Sequence, residues 1–127
     1  MSRKIFQFGL ACAFVGLIQS VTILSAKAEI LNLECHPAAS PDTPVWLLYW
    51  IDTVKGTITN ANASSRGVQL EGIQTAPVTI TAGAYNFRLS MGQVTINRMT
   101  GVNTWYGPPV QVFNCSKGTT PFPKPKF

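Results

Sequence analysis

Between Leu31 and Cys115 the hydrophobic residues recur with a period of two in short runs, and each run is broken by glycine, proline or a polar cluster. A chain patterned in this way has no stretch long enough for an amphipathic helix, so it must build its core from strands. Leu31, Leu33 and Cys35 share one face of a first short strand, and a loop with three prolines follows from His36 to Pro44. Val45 to Asp52 is the most apolar run, with Trp46, Leu48 and Trp50 on one side and Leu47, Tyr49 and Ile51 on the other. That strand is predicted to be buried on both sides, or covered on one by a neighbour or partner. Further runs are Thr57–Thr59, Val68–Glu71, Val78–Thr81, Tyr85–Leu89 and Val110–Cys115, with Asn60 to Gly67 reading as a polar loop. Strand-sized runs separated by Gly and Pro turns predict an all-β fold: a small antiparallel barrel or sandwich of about eight short strands.

The best-defined unit is the hairpin from Val94 to Tyr106. Val94, Ile96 and Arg98 fall on one face, Thr95, Asn97 and Met99 on the other, and Gly101 supplies the positive φ that lets the chain reverse. Arg98 is a charge in register with core residues. It either lays its stem over the rim of the core with its head in water or pairs with a carboxylate. Asp52, at another strand end beside a turn, is the expected partner, so Asp52 and Arg98 are predicted to form a structural ion pair.

Residues 1–28 read as a signal peptide. Arg3 and Lys4 form a basic start, Ile5 to Leu24 are almost wholly apolar, and Ala26-Lys27-Ala28 places small residues where a signal peptidase reads them. A retained single-span anchor is the alternative, since the apolar run is long enough to span. Cys12 lies inside the apolar run and lacks the flanking pattern of a lipidation site. Cleavage after Ala28 leaves a β domain, residues 29–116, and a flexible Pro/Lys tail, residues 117–127. Ten basic residues fall to seven on processing, against five acidic, a net charge of +2. Three of the seven, Lys117, Lys124 and Lys126, lie in the tail, so the domain is near neutral and has no electrostatic footprint for nucleic acid. The expected location is periplasmic or secreted, and the processed chain is not expected to be an integral membrane protein.

Two cysteines remain after processing, Cys35 near the start and Cys115 near the end. In an oxidising compartment they are predicted to form one disulfide. Joining the first strand to the last ties together the two edges that an open sheet would leave unpaired. Closing so long a loop stabilises by roughly 4 to 5 kcal/mol in the chain-entropy account.

Ile96-Asn97-Arg98-Met99-Thr100-Gly101, together with Ile51-Asp52 ahead of Thr57-Ile58-Thr59 and the terminal cysteines, resembles a group of small exported bacterial proteins of unknown function. Their shared feature is a strand ending in Ile or Leu, Asp or Asn, Arg, any residue, Thr, Gly. The resemblance spans most of Leu31 to Cys115 and implies no activity. More distantly, Ala82-Gly83-Ala84-Tyr85 and Met91-Gly92 look like the Ser-Gly loop before a Tyr and the Lys-Gly of the periplasmic inhibitors of C-type lysozyme, small barrels with a disulfide between first and last strands. In that family the Ser and Lys enter the lysozyme cleft; here those places carry Ala82 and Met91.

Catalytic chemistry finds few candidates. The only histidine, His36, adjoins Cys35 in a Pro-rich loop, which leaves no Ser-His-Asp or Cys-His set and no second imidazole or thiolate for a metal. The five carboxylates, Glu29, Glu34, Asp42, Asp52 and Glu71, sit on separate segments, so paired-acid hydrolysis would need folding to bring two together. No catalytic residue, metal or cofactor is expected. The positive signal is aromatic. Trp46 and Trp50 read as core. Trp105 and Tyr106 are adjacent on opposite strand faces beside Gly107-Pro108-Pro109, so one ring must point away from the core. The expectation is an exported, non-enzymatic binding or interaction module for a protein or saccharide partner, with Trp105, Tyr106, Gly83 and Tyr85 as the possible binding surface. The alternative is a periplasmic inhibitor of C-type lysozyme.

Overall fold

The computed structural model describes residues 29–124, so the expected signal segment and the last three residues lie outside the described residues. Eight strands follow one another: β1 (Ile30–Pro37), β2 (Val45–Asp52), β3 (Thr57–Ser64), β4 (Gly67–Ile80), β5 (Ala84–Leu89), β6 (Gly92–Asn97), β7 (Val102–Trp105) and β8 (Gln111–Lys117). Each is antiparallel to the next, and β8 returns to β1, so the sheet closes into a barrel. This is the all-β architecture expected from the period-two pattern. Closure removes both free edges, and it sets Cys35 directly opposite Cys115, where the two form a disulfide between β1 and β8.

The pleat divides the residues into an inner and an outer set. Tyr49, Ile51, Ile58, Phe87, Leu89, Val94 and Ile96 fill the interior, each almost fully buried. Each such side chain contributes roughly 1.5 to 3 kcal/mol through its removal from water. The cross-strand pairs Thr79↔Asn86, Arg88↔Gln93, Asn86↔Thr95 and Thr95↔Thr104 share the opposite, outer face. Over β5 to β7, an apolar inner face backed by a polar outer one is the inverse of the pattern a lipid-facing barrel carries. Among the described residues, no helix is long and apolar enough to cross a membrane.

β2 is buried on both sides, as its unbroken apolar run requires. Its inner residues join the main core, while Leu48 and Trp50 pack outside the barrel against Ala61 and Ala63 of β3, with Trp46, Val68 and Ile73 alongside. This second cluster explains why residues 60–64 extend β3 and do not form the expected polar loop. Ala61 and Ala63 are small enough to lie beneath the large side chains of β2, and Asn60 satisfies its side-chain amide on the Leu48 carbonyl at 3.3 Å. The two strands expected at Val68–Glu71 and Val78–Thr81 are likewise one, β4. Its pairing jumps from Asn62↔Gln69 to Asn60↔Gln74, so residues 70–73 bulge out, with Gly72 at φ 76°. At Pro77, which offers no N–H, β4 leaves β3 and turns to β5 through Val78↔Phe87.

The expected flexible tail is docked over its first part. β8 runs to Lys117, after which the Gly118 N–H donates to the Asn32 carbonyl (3.0 Å) and the Thr120 N–H to Asn32 Oδ1 (2.9 Å). The Trp50 indole donates to the Thr120 carbonyl (2.9 Å), and the Phe122 ring meets the Trp50 ring edge-on at 5.8 Å. Residues 118–122 thus form a strap over the outer face of β1 and β2. The alternating prolines do prevent a ninth strand, but the Trp50 indole N–H and the Asn32 side chain, both buried beneath the strap, supply partners that a ladder would otherwise provide. His36 also differs from expectation. It belongs to β1, stacks on Trp46 with centroids 5.3 Å apart, and holds Glu34 Oε1 at 2.7 Å through Nε2.

Candidate functional site

At one end of the barrel the β5–β6 turn, the β7–β8 loop and the loop after β1 lie together. Trp105 and Tyr106 divide here as strand alternation demands. Tyr106 is 53% exposed, while its backbone N–H is tied to the Gln93 carbonyl at 3.0 Å. Gly107 passes so close to the β5–β6 turn that a Cβ there would come within 2.5 Å of the Met91 carbonyl oxygen. This close approach sets Met91, itself 68% exposed, beside the Tyr106 loop. Pro37, Ala38, Val110 and Val112 border an adjacent groove of about 550 Å³.

Trp105 turns the other way, which removes it from the candidate surface. Its ring lies against Phe113, with centroids 6.2 Å apart, and its indole donates to the Tyr49 hydroxyl at 3.1 Å. Asn103, fully buried, donates to the same hydroxyl at 2.9 Å. Burial pushes the Tyr49 phenol up to about 12, although both hydrogen bonds act in the opposite direction. Asn103 Oδ1 has no partner in this network. The strand pattern carried one signal of this internal polar group: Asn103 has the same parity as inward-facing Trp105, and a polar residue on a core face needs a buried partner.

At the opposite end, the β4–β5 and β6–β7 turns meet the start of β1 and the end of β8. Gly83 is exposed and its carbonyl receives the Arg98 N–H at 2.9 Å. Tyr85 is 5% exposed and belongs to the core, so it offers no more than an edge to a partner. Arg98 lies over that ring, its Cζ 4.8 Å from the centroid, and its Nη1 donates to the Thr81 carbonyl at 2.6 Å. The expected Asp52–Arg98 ion pair is not formed. Asp52 Oδ1 instead accepts the N–H groups of Val54 and Lys55 at 3.0 and 2.9 Å, which closes the β2–β3 turn. Each residue thus has nearer partners in its own turn or strand neighbour. The β6–β7 turn is built similarly: Asn97 Oδ1 accepts from Met99 and Thr100, and Gly101 takes φ 78°.

Between the start of β1, Arg98 and the strap lies a cleft of about 490 Å³ whose walls include Glu29, Ile30, Leu31, Tyr85, Arg98 and Lys117. A smaller recess of about 300 Å³ continues it past Leu33 and Ile96. Among the described residues no group of three or more His, Cys, Asp or Glu is placed to hold a metal ion.

These features define a small, disulfide-closed antiparallel barrel with an exposed tyrosine at one end and a cleft bordered by Arg98, Lys117 and Glu29 at the other. Comparison of the chain with protein-family models, curated proteins and solved structures finds no match.

Proposed function

We propose that the chain is an exported, non-enzymatic binding module that engages a protein or saccharide partner through the rim around Tyr106. The exposed Tyr106 ring carries this reading: it is large, amphipathic and held on a turn packed against Met91 and Gly92, so little conformational freedom is lost when it is covered. The Cys35–Cys115 disulfide supports export to the periplasm or beyond, because such bonds persist in oxidising compartments. The mass of the exported protein is expected to correspond to a chain starting at Glu29 and two hydrogens lighter than the reduced form. The functional test compares the processed protein with Tyr106→Ala in capture of partners from its own compartment. Weaker capture with a melting temperature within a few degrees of the parent supports the rim, and unchanged capture refutes it.

The lysozyme-inhibitor reading has less in its favour. Tyr85 is almost wholly buried under Arg98, and Ala82 and Met91 offer neither hydroxyl nor ammonium to an enzyme cleft. No slowing of C-type lysozyme is expected at micromolar protein. Slowing that depends on Gly83 and not on Tyr106 would reinstate that alternative.

A further inference from the structure

The cleft at the end of the barrel remote from Tyr106 has the parts of an anion site. The Arg98 guanidinium is oriented by two contacts, the Tyr85 ring beneath it and the Thr81 carbonyl on Nη1, which leave its remaining N–H donors free. Lys117 borders the same cleft from β8. Among the described residues the one ion pair within 4.0 Å joins His36 to Glu34, so neither cation has a carboxylate partner, although Glu29 also borders the cleft. Two cations that line one recess, with Arg98 already oriented by its neighbours, favour an oxyanion over a neutral ligand, since a planar guanidinium matches carboxylate oxygens two at a time.

The remaining walls decide the rest of the ligand. Ile30 and Leu31 flank the cations, and Leu33 and Ile96 line the recess beyond. A fully hydrated ion gains nothing from such walls, whereas an aliphatic chain loses water against them. We infer that this cleft binds a small carboxylate with an aliphatic body, its carboxyl group held by Arg98 and Lys117 and its chain against Ile30 and Leu31. The strap supplies one further wall of the cleft through Gly118, Thr119 and Thr120.

Two-dimensional amide NMR of the full processed domain tests this with sodium butyrate, its neutral amide butyramide, and inorganic phosphate. Butyrate is expected to give saturable shifts at Gly118, Thr119 and the Arg98 Nε–H, with millimolar affinity, and butyramide none. Loss of a charge-assisted hydrogen bond weakens binding by about ten-fold or more, so Arg98→Gln and Lys117→Gln are each expected to do so while resonances on the far side of the barrel stay in place. Arg98→Lys, which keeps the charge and loses the fork, is expected to fall between parent and Arg98→Gln. Non-saturating shifts, equal response to butyramide, or unchanged affinity in both Gln variants would overturn the proposal. Tighter binding of phosphate than of butyrate would overturn the assignment to an aliphatic carboxylate. Because Tyr106 lies at the other end, none of these outcomes depends on the rim.

Discussion

Replacing Tyr49 by Phe removes one oxygen from the middle of the barrel and leaves two donors behind. Asn103 is fully buried, so its side-chain amide loses its acceptor without access to water. An unsatisfied buried donor costs about 1 to 3 kcal/mol. Trp105 is half-buried, and its indole loses the same acceptor. The net loss is therefore about 1 to 3 kcal/mol, which for a domain of this size lowers the melting temperature by roughly 4 to 20 °C. Adding Asn103→Leu is expected to recover most of it, because an apolar pair of similar shape leaves nothing unsatisfied. A second readout follows from protonation. The folded-state pKa of Tyr49 is raised from 10.0 to about 12, so folding favours the protonated phenol. That contribution is complete below about pH 10 and is lost as pH rises from 10 through 12, with a ceiling near 3 kcal/mol. Urea melts of parent and Tyr49→Phe across that window are therefore expected to converge as pH rises. A variant within 0.5 kcal/mol of the parent at neutral pH, or a stability gap unchanged between pH 9 and 12, would refute the buried network.

Gly101→Ala is expected to destabilise by about 1 to 3 kcal/mol in a denaturant melt, because the residue sits at φ 78° and a Cβ would meet the Cys115 carbonyl oxygen at 2.6 Å. Asn32→Ala removes the side-chain acceptor of the Thr120 N–H and the donor to the Tyr49 carbonyl, and is expected to raise hydrogen exchange at Thr120 and to shift Trp50 fluorescence to the red; a docked strap in that variant would refute its dependence on Asn32. Phe122→Ala should produce the fluorescence change with little loss of barrel stability, since Phe122 is largely exposed and touches Trp50 from outside.

The pattern of this chain determined the class of its fold by local rules. Period two across short runs excludes helices, Gly and Pro at the breaks require reversals, and two cysteines near the ends of the domain are natural closures for the sheet. The hairpin around Gly101, the double burial of β2 and the outward turn of one ring in Trp105-Tyr106 were legible for the same reason. Where the sequence reading departs from the structure, the missing information is long-range. Residues 60–64 look like a loop by composition, and only the large side chains of β2 above Ala61 and Ala63 make them a strand. The Pro-rich segment looks unattached until Asn32 and Trp50, far away in sequence, offer it hydrogen bonds. Asp52 and Arg98 are complementary in charge, yet each is satisfied by its immediate surroundings, which cost less order than a pairing between turns. Strand identity is a property of a few neighbouring residues, whereas a side chain's partner depends on the register of every strand between them, and that is decided only when the barrel closes.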